Sequence, residues 1–264
     1  MANVSEILEF FNTIAPFYMK LDFDNVGLLV GFHEAEVHKV VVALDITDAV
    51  IDEAVKQGAQ LIVSHHPLLF DAIKRVTDDE SKGRKIIQMI QNGISAICLH
   101  TNLDTAEGGV NDLLMQALGA KVIGLLAPHG KHPDGSAYGI SRLGELPEAM
   151  DFNEFLMKAK TSLQSNGLRY VSGGKTVQHI ACCGGAGAGD MLAAVAAGCD
   201  TYVTADLKYD HFLLAKELGL NLIDADHFCT ENVVVPYIKD TLSSRFPELS
   251  VAIAACHEQT IQFI

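Results

Sequence analysis

Three short stretches carry the side chains able to do chemistry: "LIVSHHPLLF" over 61–70, "HTNLD" over 100–104 and "HFCTE" over 227–231. The first sets His65 and His66 side by side, directly after an apolar run and before Pro67. In a continuing strand, adjacent side chains point to opposite faces, but a chain entering a proline can turn and aim both into one cleft. The second stretch adds His100 and Asp104. The third adds His227 and Glu231, whose four-residue spacing puts imidazole and carboxylate on one face of a helix. Imidazoles with one or two carboxylates suit zinc, iron, manganese or nickel, and a carboxylate can bridge two divalent ions roughly 3.5 to 4 Å apart. Such a pair lowers the pKa of bound water and polarises a carbonyl, imine or phosphoryl group, so the matching chemistry is hydrolysis. Set against this, a lone histidine at a strand end is more often a solvated loop residue. That plainer reading is taken for His33, His38, His129, His132, His179 and His257, and spacing alone leaves both readings open for the three stretches.

The elements that must position these side chains alternate. "HKVVVALD", "QLIVS" and "ISAICL" read as buried strands, separated by the amphipathic helices "TDAVIDEAVKQG", with Thr47 as cap and Gly58 as stop, and "SKGRKIIQMIQNG". An opening helix, "SEILEFFNTIAP", takes Ser5 as its cap. The same order returns after residue 176. His65 and His66, His100, Asp206, and Asp226 with His227 each fall seven or eight positions after a helix-ending glycine: Gly58, Gly93, Gly198 and Gly219. They therefore stand at the carboxyl ends of strands, where open α/β sheets bind ligands. The expected fold is α/β: two related halves, 1–125 and 126–264, of mostly parallel strands flanked by helices, the first completed by the C-terminal tail. The expected metal site lies at the strands' C-terminal ends.

Composition narrows the class. The net charge of −14 disfavours a nucleic-acid partner, and no apolar run reaches the roughly 18–20 residues that span a bilayer. The opening residues carry no basic leader, and the six cysteines form no CxxC pair, so a reducing cytoplasm is expected. "GGAGAG" over 184–189 matches no nucleotide fingerprint and reads as a tight strand-to-helix turn. Asp206 is weighed as a carboxylate standing behind the site. Cys182 and Cys183 are read as core.

Together with "DNVGLLVG" (24–31), the long form "HTNLDTAEGGVND" (100–112), "TADLKY" (204–209) and "DADHFCTE" (224–231), these motifs resemble the GTP cyclohydrolase I type 2 homologues, the Ngg-interacting-factor-three-like proteins. The resemblance runs in order along most of the chain. It implies a dinuclear centre of two divalent transition-metal ions held by His65, His66, Asp104, His227 and Glu231, with His100 behind them. It also implies a ring-shaped homohexamer, and an excess of apolar positions fits self-association. Departures are Phe23 where the family commonly has Trp, Ala205 and Asp226 at frequent glycines, and Asp210 before His211 where His is frequent. The resulting expectation is a binuclear metal-dependent hydrolase acting on a nucleotide or related cyclic small molecule, with His100, Glu107 and His211 as candidates for proton transfer. The competing expectation is a metal-binding regulatory or assembly protein without turnover.

Overall fold

The computed structural model describes residues 2–264, and the chain divides into two units. One runs up to Leu103 and resumes over Val234–Glu258; the other comprises Asp104–Val233 and Gln259–Ile264.

The first unit holds a five-stranded sheet ordered Ser250–Ile253, Lys39–Ala43, Leu61–Ser64, Ser95–Cys98, Gly27–Val30. The first four strands are parallel and Gly27–Val30 is an antiparallel edge. Apart from Lys39, which is partly exposed, the middle strands are buried at every position and rich in Val, Ile and Ala, as a sheet covered on both faces requires. Their crossovers are the helices Asp48–Gln57 and Ser81–Gln91. Thr47 caps the former by accepting from the Val50 amide, and Gly58 ends it at φ 65, in the left-handed region where only glycine is unstrained. The opening helix, Val4–Ile14, is capped not by Ser5 but by Asn3. The Asn3 side chain accepts from Glu6 N while the Glu6 carboxylate accepts from Asn3 N, a reciprocal box that satisfies two amides at once.

The second unit holds a six-stranded sheet ordered Arg169–Val171, Asn221–Asp224, Thr201–Thr204, Val177–Cys182, Arg142–Met150, Lys121–Leu125. Its three successive strands Val177–Cys182, Thr201–Thr204 and Asn221–Asp224 are parallel, with antiparallel strands on either side. The crossovers are Met191–Ala196 and Tyr209–Leu218. Phe155, Ile180, Val203 and Ile223 lie in one core against the helix Phe152–Ser162, while Tyr202 and Leu222 face the other way into a second.

Both units thus contain the same kernel of strand, helix, strand, helix, strand; Ser95–Cys98 leads into the five-residue helix Thr101–Thr105, whose last two residues are counted in the second unit, and Asn221–Asp224 leads into the five-residue helix His227–Glu231. No helix among the described residues is long and apolar enough to cross a membrane.

Candidate metal centre

In the first unit the strand Leu61–Ser64 stops one residue before the double histidine. The His65 and His66 amides still donate to Ala43 and Leu44, but the Ser64 hydroxyl donates to the His66 carbonyl and bends the chain ahead of Pro67. The bend answers the strand-parity problem: the two rings do not diverge but stand with centroids 5.1 Å apart. His100, from the end of the next strand, lies 5.3 Å from His65 and 5.7 Å from His66. Each ring offers a nitrogen within 4.8 Å of the others.

What each ring does with its other nitrogen decides what the cluster can bind. His65 Nδ1 sits 2.7 Å from the Leu99 carbonyl, His66 Nδ1 2.7 Å from Asp45 Oδ1, and His100 Nδ1 2.8 Å from Asp24 Oδ1. A carbonyl or carboxylate oxygen at that distance accepts a proton from Nδ1–H, which makes Nε2 the lone-pair nitrogen and fixes the ring plane. Three imidazoles held in this tautomer form a neutral nitrogen donor set. Asp24 is enclosed beside His100. Burial pushes its carboxyl up, but hydrogen bonds from His100 and from the Thr101 hydroxyl and amide outweigh this and bring it down to about 2. Beyond His100 stand Phe70 and then Phe23, ring against ring, both substantially exposed.

In the second unit the donors are mostly carboxylate. His227 and Glu231 begin and end one five-residue helix, and His227 Nε2 lies 3.0 Å from Glu231 Oε2. His227 Nδ1 is 2.8 Å from Asp206 Oδ2, so this fourth ring is oriented as the other three are. Asp104 and Glu231 are both buried, with oxygens within 4.8 Å of one another. Two carboxylates that close in a poorly hydrated place repel unless a proton or a cation lies with them.

The glycine loop after Val177–Cys182 packs against this set. Its amides are used internally: Gly184 donates to Asn111 Oδ1, Gly185 to Thr230 Oγ1 and Gly187 to Thr204 Oγ1. That is the tight turn, not a phosphate cradle. Gly185, at φ 62, is needed for a second reason, because a Cβ there would overlap Glu231 Oε1 and come within 3.1 Å of His227 Nε2. Asn111 ties the set together by donating to the Asp104 carbonyl while accepting from Gly184. Cys183 contributes no thiolate, since burial, reinforced by Asp104, Asp190 and Glu231, pushes its thiol up to about 12.

Of the candidates for proton transfer, His100 joins the first cluster. His211 is employed elsewhere: its Nδ1 accepts from the Lys208 amide at the start of the helix Tyr209–Leu218. Glu107 is exposed in the turn that precedes the helix Val110–Ala117. Asp24 and Asp45, which orient His100 and His66, are partners that spacing did not single out, lying 76 and 21 residues from the rings they hold. Asp24 does fall inside the "DNVGLLVG" stretch, a signal that could have been followed.

The fold and these side chains define a class: an α/β protein with histidine-rich and carboxylate donor sets at the carboxyl ends of parallel strands, clusters that could bind metal. The sequence model of the Duf34/NIF3 (NGG1p interacting factor 3) family matches residues 2–260, and the chain belongs to that family. It is similar to the GTP cyclohydrolase 1 type 2 homolog of Clostridium perfringens, with 38% identity covering 92% of each chain. The homolog of the same name from Methanocaldococcus jannaschii is 34% identical over 90% of this chain and 94% of its own. Among solved structures it is similar to a Bacillus cereus protein related to NIF3, with a TM-score of 0.93, 26% identity and complete coverage of both chains.

Proposed function

We propose that the chain is a binuclear metal-dependent hydrolase, with His65, His66, Asp104, His227 and Glu231 as the ligands of two divalent transition ions. One observation carries this reading most: four imidazoles, in two units, each hold Nδ1 against an oxygen, an arrangement that has little purpose in a solvated loop histidine. The buried Asp104 and Glu231 supply the negative charge that a divalent ion requires, and neither donor set calls for a thiolate. Bound there, the ions would supply Lewis acidity and water activation.

The chain's own residues then divide the work. His66 and His227 are aimed by Asp45 and Asp206, His65 by a backbone carbonyl. His100 is the group placed to move a proton at Nε2, because Asp24 holds its Nδ1 at 2.8 Å and fixes the ring. Relatives named GTP cyclohydrolase 1 type 2 homolog support a nucleotide or related cyclic compound as the substrate class. A homohexamer acting in the cytoplasm completes the proposal.

The test is a hydrolysis screen, GTP included, on metal-loaded and chelated protein, with helical circular dichroism recorded on both. Turnover that disappears on chelation while the helical signal stays is the expected result, because each unit has its own apolar core. Cooperative unfolding on chelation would instead favour the regulatory or assembly role, in which the ions contribute folding energy.

A further inference from the structure

Asp226 is held where an L-residue is strained. Its φ of 71 with ψ of 138 belongs to backbone that glycine adopts freely, and a side chain there costs conformational energy. The residue is nearly buried, so solvent does not account for the carboxylate. What the carboxylate does is local. Oδ1 accepts from the Cys229 amide at 3.3 Å and caps the helix His227–Glu231, while the Asp226 amide donates to Asp224 Oδ1 at 3.2 Å. The Asp226 carbonyl accepts from both the amide and the hydroxyl of Thr230 at 3.0 Å. A helix of five residues has little hydrogen bonding of its own to hold its shape. Its two ends are the residues proposed as ligands.

We infer that Asp226 is a positioning residue: it accepts backbone strain in order to cap the His227–Glu231 turn and set the imidazole against the carboxylate before a cation arrives. The inference rests on the metal-centre reading. Glycine at 226 would release the strain and lose the cap; asparagine would keep both the strain and a cap acceptor without the charge; alanine would keep the strain and lose the cap. The three substitutions therefore separate geometry from charge and from stability.

Purified, chelated full-length protein is titrated with Zn2+ alone, and thermal unfolding of the metal-free form is followed in parallel. Asp226→Gly should match or exceed the wild-type melting temperature yet bind zinc about tenfold more weakly, a loss typical of removing support behind a metal ligand. Asp226→Asn should keep wild-type affinity. Asp226→Ala should lose both stability and affinity. Wild-type affinity in Asp226→Gly would overturn the role, and so would an equal loss in Asp226→Asn, which would show the carboxylate acting by charge. A wild type that takes up no zinc would overturn the metal centre itself, an outcome distinct from a binding wild type matched by Asp226→Gly.

Discussion

The two kernels solve the same positional problem with different side chains. At the end of the second parallel strand the first unit has His65 and His66, and the second has Ala205 and Asp206. After the third strand the sequence reads alike, His100 with Asp104 four residues on and His227 with Glu231 four residues on, although Asp104 is itself counted in the second unit. In both, the imidazole after the third strand holds Nδ1 on an aspartate from another loop, Asp24 or Asp206. The first unit gathers nitrogen donors on ordinary backbone. The second gathers carboxylates around one imidazole, and it needs Asp206 at φ 55, Asp226 at φ 71 and a glycine at 185 to bring them close. Neutral rings can crowd at little electrostatic cost, whereas buried carboxylates must be forced together. Strain collects where the charge does.

The sharpest break of this comparison is at the glycine loop. Gly185→Ala puts a Cβ into Glu231 at a positive φ, and overpacking plus the left-handed penalty should cost about 2–4 kcal/mol. Gly58→Ala, at φ 65 in open space, carries only the left-handed penalty and should cost about 1 kcal/mol. Urea unfolding of both variants measures the difference; equal losses would mean that close approach at 185 contributes nothing.

On the first unit's side the test is acid. Asp24 is brought down to about 2 in the fold from 3.8, so between those values the unfolded chain binds more protons and stability rises with pH. The contribution, about 2 kcal/mol, is complete above the unfolded value and is lost as pH falls through the folded one. Asp24→Asn should therefore destabilise the metal-free protein by about that amount at neutral pH, and the gap should narrow toward pH 2. A gap independent of pH would show that Asp24 acts through shape alone.

Smaller and matched effects are expected behind His66 and His227. Asp45→Asn and Asp206→Asn each leave an oxygen near Nδ1 but weaken the anchoring of the tautomer, so each should lower metal affinity about tenfold, or ~1.4 kcal/mol. Isothermal titration of the two variants sharpens the comparison: parallel losses mean that the units orient their rings in the same way, and a loss at Asp206 alone would set the second unit apart.

Much of this was readable in the chain because its signals are local. Alternating strands and helices, Thr47 and Gly58 at the ends of one helix, and polar residues a fixed distance after helix-ending glycines all follow from neighbours in sequence. Asn3 displaced Ser5 as the first cap because Glu6 completes a reciprocal box that the position of Ser5 cannot form. What was not readable depends on distant partners. Nothing near His100 announces Asp24, and nothing near Lys39–Ala43 announces that Ser250–Ile253 will lie beside it. The strain at Asp226 was invisible for another reason: an aspartate in sequence does not reveal that its backbone has taken a glycine's conformation.

The central proposal is that His65, His66, Asp104, His227 and Glu231 are the ligands of two divalent transition ions. Elemental analysis of protein purified without added metal, alongside His65→Ala and His227→Ala, tests it most directly. The account predicts about two transition ions per wild-type chain and a clear loss in each variant with the fold retained. Full metal content in both variants would contradict it.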